Sequence, residues 1–214
     1  MKIGFVGGSF NPIHNGHIRV AIEVKEQMDL DFVELIPAPR PPHKLDEKLL
    51  DFEKRVELIK IAINGISFLR INTIEAKRST PSYTVITLEE LKQLYPGHEL
   101  YFVIGGDEIT HLTKWYKWRH LFDLCNFIVV GRREGDLKNL QFFIETNLPA
   151  KTNQKFVWQV GEYKIHYIEI PRLEISSSLI RKKAMTQKSL RGLVPESLEK
   201  KISQEYCKLL LKDV

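Results

Sequence analysis

Cysteine is scarce in this chain: Cys125 and Cys207 stand alone, 82 positions apart, in apolar or helical surroundings. That excludes a disulfide framework and predicts reduced thiols in a cytosolic protein. Hydrophobic runs are short. None approaches the ~18 residues of a membrane helix, and the N-terminus opens on a strand pattern rather than a signal peptide. The expectation is a soluble, cytoplasmic protein with no membrane partner. Long basic blocks are absent too; Arg132-Arg133 and Arg181-Lys182-Lys183 are the densest runs, too thin for a nucleic-acid-binding arm. With 12 Gly and 10 Pro in no repeat and 43% hydrophobic residues, collagen, coiled coil and disorder are excluded.

What remains is an ordinary globular chain of 214 residues, long enough to bury a core without staples. Lys and Arg number 32 against 27 Asp and Glu, a net charge of +5. The balance favours an anionic partner without choosing among nucleotide, nucleic acid and membrane surface. The length suits one α/β unit with extra segments, and the expected organisation is a single domain over 1–214 with a helical C-terminal part at 176–214.

Strand-like runs fall at Lys2–Val6, Phe32–Ile36, Phe68–Ile74, Glu99–Ile104, Asn126–Val130 and Tyr163–Ile170. Helical periodicity begins at Asn15 and recurs over Asp51–Ile63, Thr84–Leu94, Leu137–Asn147, Ser176–Met185 and Pro195–Leu210. His111–Leu124 reads as one or two helices, with Trp115 and Trp118 on the same one. The alternation predicts a doubly wound parallel sheet covered by helices on both faces.

Such sheets bind ligands at the carboxyl ends of their strands, and three candidate anion sites lie there. After the first strand comes Gly7-Gly8-Ser9-Phe10-Asn11-Pro12-Ile13-His14-Asn15-Gly16-His17. Its glycines admit phosphate oxygens close to the backbone, a helix start aims free amides at the same place, and His14 and His17 could both face one anion. It is neither a GxGxxG nor a Walker A motif. After the second strand, Pro37 to Lys44 is a stiff loop that ends in a point charge suited to phosphate. At Ser176-Ser177-Ser178, a helix start offers hydroxyls and amides, with Arg181 one turn in. The bland readings are a glycine turn, a rigid crossing and plain capping. A zinc site of His14, His17 and His43 is a rival reading, but no Cys or carboxylate completes it at short spacing.

Together these segments resemble the bacterial nicotinate-nucleotide adenylyltransferases, nucleotidyltransferases with an HxGH signature. The matching motifs are GGSFNPIHNGH at 7–17, PAPRPPHK at 37–44, PSYT at 81–84 and VIGGDE at 103–108. LTKWYKWRHL at 112–121, GRREG at 131–135, ISSSLIR at 175–181 and VPESL at 194–198 continue the resemblance over nearly the whole chain. The chain departs from the family's habit at Ile86, where Asp is common, and at Gly106 and Glu134; Ser9 and Ser178 keep the hydroxyl of the commoner Thr.

The resemblance implies a Rossmann-like fold and transfer of the adenylyl group of ATP to nicotinate mononucleotide. It implies catalytic roles for His14, His17, Lys44 and Arg181, and ATP contacts at Gly8, Ser9, Phe10, Gly105, Asp107, Ile175, Ser176 and Ser178. For the second substrate it implies Ser9, Lys44, Thr84, Val85, Trp115, Tyr116 and Arg132, the last preferred over Arg133. Trp115 would stack on the pyridine ring, while Trp118 is expected in the core. Mg²⁺ carried with ATP is the implied cofactor, with no metal held by the protein and no nucleic-acid partner; homo-oligomerisation stays open. The nucleophile is an already anionic phosphate oxygen, and the chain shows no paired catalytic carboxylates or nucleophile–base dyad. Related enzymes acting on nicotinamide mononucleotide, on pantetheine phosphate or with a cytidylyl donor are alternatives, as is a basic RNA-binding protein without chemistry.

Overall fold

The structure, a computed structural model, describes residues 1–42 and 49–211. Eight strands form one sheet: β1 (Lys2–Gly8), β2 (Phe32–Pro37), β3 (Leu69–Ile71), β4 (Glu99–Gly105), β5 (Asn126–Gly131), β6 (Lys151–Gln154), β7 (Val157–Val160) and β8 (Tyr163–Glu169). Their order is β3-β2-β1-β4-β5-β8-β7-β6. From β3 to β8 every pairing is parallel, and β7 and β6 add antiparallel strands at one edge. All six residues of β2 are buried, the mark of a strand covered on both faces.

Six α-helices supply the cover: α1 (Asn15–Gln27), α2 (Phe52–Ala62), α3 (Thr84–Leu94), α4 (Asp136–Asn147), α5 (Ser177–Met185) and α6 (Glu199–Leu211). Side chains of a strand point alternately to its two faces, so the core divides in two. Ile3 and Phe5 of β1 belong to one layer with Leu88 and Leu91 of α3 and Leu140 and Phe143 of α4. Val6 packs on the other side with Ala21, Val24 and Ile59 of α1 and α2. The C-terminal helices join that second layer through Ile180, Ala184, Ile202 and Tyr206, so the C-terminal segment shares the sheet's core.

Four elements differ from the sequence expectation. The β6–β7 hairpin was not anticipated: β6 is a polar edge strand, KTNQ, and in four-residue β7 only Trp158 and Val160 turn inward. The sheet is therefore mostly parallel rather than wholly so. In place of helix over 111–124 there are two 3₁₀ helices, Gly106–Lys114 and Trp118–Asp123. Trp115 ends the first and Trp118 begins the second, so they do not share a helix. β3 stops at Ile71: the Asn72 amide still donates to Leu35 O of β2, but its side-chain oxygen accepts from Ile74 N and turns the chain away. A 3₁₀ turn at Glu196–Leu198 leads into α6, which begins at Glu199 rather than Pro195. Among the described residues no helix is long and apolar enough to cross a membrane.

Candidate active site

β1 connects through α1 to β2 on one side, while its other neighbour, β4, is reached from edge strand β3 through α3, so the strand order reverses between β1 and β4 and loops diverge at their carboxyl ends. A cleft of about 860 Å³ opens there. Gly8, Ser9, Gly105, Thr84, Trp115 and Tyr116, all singled out from sequence, line it.

Beside the cleft, continuing from Gly8 and Ser9, a cluster is built from the loop after β1 and two helix starts. His14 is the residue before α1, and its backbone N–H donates to Nδ1 of His17 at 3.3 Å. An accepting Nδ1 leaves the proton of His17 on Nε2, a donor tautomer suited to phosphate oxygen. The two imidazoles stack with centroids 3.7 Å apart, and Phe10 meets His17 edge-on at 4.9 Å. His14 is buried, and burial first, then the nearby Arg132 charge, lowers its pKa to about 4. It is therefore neutral at pH 7. A Cβ on Gly16 would lie 3.0 Å from His14 Nδ1 and 3.6 Å from the Ile175 carbonyl, so the glycine lets the two helix starts approach.

The start of α5 docks against the same loop. Ser176 caps the helix by accepting from the Leu179 amide, and Ser177 donates to the Pro12 carbonyl at 3.0 Å. Arg181 donates to the Asn11 carbonyl at 2.9 Å and to Ser178 Oγ at 3.2 Å. Two imidazoles, a guanidinium and two sets of helix-start amides thus gather at one place. Lys44 and His43 lie outside the described residues.

Above the end of β4, Asp107 pairs with Arg132 at 3.0 Å and lies 3.9 Å from Arg133. Their side chains fill the space over Gly105, where a Cβ would stand 2.5 Å from Asp107 Oδ1 and 2.8 Å from Arg132. Asp136, at the start of α4, accepts from the backbone amides of both arginines and fixes the turn. Arg132 is the inner of the two, at 37% side-chain exposure against 64% for Arg133.

One wall of the cleft is aromatic. Tyr83 and Tyr116 rings meet at 4.7 Å, and Trp115, which packs against the core, lines the wall beside them. Tyr83 does not cap α3 with its side chain, so the Thr84 and Val85 amides are helix-start donors without an intrahelical acceptor. The Val85 side chain itself is core, leaving that residue only its backbone to offer. Trp118 is core, edge-on to Phe143.

Several contributors escaped the sequence reading. His111 and Lys114 bring imidazole and ammonium to the cleft from the first 3₁₀ helix. Glu75, buried at the cleft wall, accepts from Thr87, which also receives a hydrogen bond from Arg78. Tyr206 donates to Asn11 Oδ1 at 2.7 Å, and Leu50 N donates to the same oxygen at 3.0 Å. Arg55, on α2, is buried behind the loop after β1. The available signal was a charged residue on the apolar face shared by Phe52, Val56 and Ile59. Among the described residues no group of three or more His, Cys, Asp or Glu is placed to hold a metal.

Comparison with known proteins followed the same lines. The Cytidylyltransferase-like family matches residues 5–183. A Geotalea daltonii protein named "Probable nicotinate-nucleotide adenylyltransferase" is 37% identical over 96% of this chain and 97% of its own. The Bacillus subtilis nicotinate-nucleotide adenylyltransferase is 36% identical over 95% of this chain and 96% of its own. Among solved structures, Plasmodium falciparum nicotinic acid mononucleotide adenylyltransferase complexed with NaAD superposes with a TM-score of 0.71 at 22% identity, covering 99% of this chain and 97% of that one. At that identity the likeness concerns the fold.

Proposed function

This chain belongs to the nicotinate-nucleotide adenylyltransferase family, within the Cytidylyltransferase-like group, and on that premise we propose that it joins ATP and nicotinate mononucleotide. The products are nicotinate adenine dinucleotide and pyrophosphate, the adenylylation step of NAD synthesis. The observation that carries the reading is a cleft walled by Trp115 and the start of α3 that reaches Gly8 and Ser9, where the same loop continues into the cluster of His14, His17 and Arg181.

A phosphate oxygen of the mononucleotide attacks the α-phosphorus of ATP. The bond from that phosphorus to the bridging oxygen breaks, and pyrophosphate leaves with the electron pair. No proton has to be removed from the nucleophile, so the protein's work is positioning and charge stabilisation. In this reading His17 Nε2–H, His14, Arg181 and Lys44 meet the triphosphate, with the Gly8 and Ser9 amides beside it. Phe10, Ile175, Ser176 and Ser178 shape that end, and Gly105 and Asp107 receive the ATP ribose. Arg132 attends the mononucleotide, Trp115 stacks on its ring, and the Thr84, Val85 and Tyr116 amides take its carboxylate. Among the described residues the donors here are imidazole, guanidinium and backbone amide, which fits a hard cation arriving on phosphate oxygens. Mg²⁺ so bound would neutralise charge on the triphosphate.

We assign the reaction to the cytoplasm, in keeping with free thiols at Cys125 and Cys207, and to one domain over 1–214 with no nucleic-acid or membrane partner. The test is product identification by mass after incubation with ATP, Mg²⁺ and each pyridine mononucleotide in turn. Failure to form nicotinate adenine dinucleotide from purified, folded protein would overturn the reading.

A further inference from the structure

Arg55 is 1% exposed and has no carboxylate partner among the described residues. Its guanidinium is instead spent on backbone carbonyls. Nη1 donates to Ser9 O at 2.6 Å and to Ala38 O at 2.8 Å, Nε to Leu50 O at 3.0 Å, and Nη2 reaches Pro39 O at 3.4 Å. Ser9 belongs to the loop after β1, and Ala38 and Pro39 to the loop after β2. These loops are further tied by Ala38 N to Gly8 O at 2.9 Å. The second loop is tied onward to the turn before α3 by Ser82 N to Arg40 O at 2.9 Å and by Arg40 Nη1 to Ser79 O at 3.3 Å.

A charge so deeply buried is costly unless its hydrogen bonds are met, and here every donor group serves a loop that lines the cleft or flanks it. We propose that Arg55 is a positioning residue that locks the loops after β1 and β2 into one frame, setting the distance between the triphosphate end and the mononucleotide end of the cleft. The role rests on the proposed adenylyl transfer for its kinetic consequence, though not for the mechanical one. Arginine suits it because a planar fork reaches carbonyls lying in different directions at once. Lysine carries the same charge on a single nitrogen and cannot hold all of them.

The experiment compares Arg55→Lys, Arg55→Met and, as a control, Leu58→Ala, which removes a buried side chain from the same helix. Steady-state kinetics, thermal melting and hydrogen–deuterium exchange of the ligand-free proteins are measured. Arg55→Lys should lower kcat/KM by about 10²-fold, since small misplacements of binding groups have effects of that size, and should raise KM for both substrates. It should also speed exchange at residues 7–10 and 38–40 together. Leu58→Ala should lower the melting midpoint without changing either KM. Wild-type exchange in both loops of Arg55→Lys, or kinetic losses in Leu58→Ala matching those of Arg55→Lys, would overturn the proposal. If Arg55→Met does not fold, the lysine variant carries the test. If wild-type protein makes no dinucleotide, adenylyl transfer falls while the exchange comparison still decides the role of Arg55.

Discussion

Asp107 Oδ1 and the Arg132 guanidinium stand 3.0 Å apart over Gly105, so each satisfies the other where an ATP ribose is proposed to bind. Both side chains are more than a third exposed, and the pair itself contributes little to stability, about 0–1 kcal/mol. Asp107→Ala should therefore fold with a melting midpoint near wild type. Its KM for ATP should rise roughly ten-fold or more, the equivalent of one hydrogen bond to a charged group. Titrating initial rate against ATP at saturating mononucleotide checks this, and an unchanged KM would remove Asp107 from the ribose site.

The imidazole and guanidinium groups at the triphosphate end should act as a unit. His14→Ala, His17→Ala and Arg181→Ala should each lower turnover by at least ~10², a loss of about 2.7 kcal/mol of charge stabilisation apiece. Turnover is the informative quantity, because the developing charge on the leaving pyrophosphate exceeds that of the ground state. A His17→Ala enzyme with near-normal turnover would sink the assignment.

His14 sets an acid limit on stability. Its folded-state pKa, about 4, lies below the ordinary 6.5, so the folded protein resists protonation that the unfolded chain accepts. The stabilisation is whole above pH 6.5 and is lost as pH falls toward 4, by about 3 kcal/mol. In urea melts between pH 7 and 4, wild type should lose about 3 kcal/mol more than His14→Gln. Parallel curves would show that His14 is not the titrating group.

The proposed backbone donors at Thr84, Val85 and Tyr116 should make the protein prefer the acid substrate over the amide. A carboxylate accepts from them on both oxygens, whereas the amide turns an NH₂ toward N–H and leaves a group unpaired at about 1–3 kcal/mol. Competition between the two mononucleotides should show roughly ten- to two-hundred-fold discrimination in kcat/KM. Trp115→Ala should weaken both without reversing their order. Equal kcat/KM in wild type would overturn the specificity while leaving the transfer chemistry intact.

Local patterns disclosed much of this architecture. Thr84–Leu94 is a helix because its apolar residues recur at helical spacing after Pro81, and the β1 loop declared itself through Gly7-Gly8 before a helix start. The β6–β7 hairpin stayed hidden because KTNQ has no inward apolar residue to repeat, and 3₁₀ geometry at Gly106–Lys114 depends on packing against α4 rather than on composition. Within the site, motif residues were legible and their supports were not. Arg55 reaches Ser9, Glu75 reaches Thr87 and Tyr206 reaches Asn11, 46, 12 and 195 positions away, and a lone polar residue carries no spacing that points to such a partner.

The bond from Tyr206 to Asn11 spans 195 positions and carries a consequence for how the enzyme is made. A nascent chain that has left the ribosome with every residue of the GGSFNPIHNGH segment still lacks the hydroxyl that shares Asn11 Oδ1 with the Leu50 amide. Strands β1, β2, β4 and β5 can assemble while α6 is being translated, with Arg55, Leu50, Ser177 and Arg181 already on the loop after β1, and the Tyr206 hydroxyl is the last of its ties to arrive. Full activity should therefore come only with the last helix, and a chain broken upstream of codon 206 should hold its first loop less firmly than the finished protein.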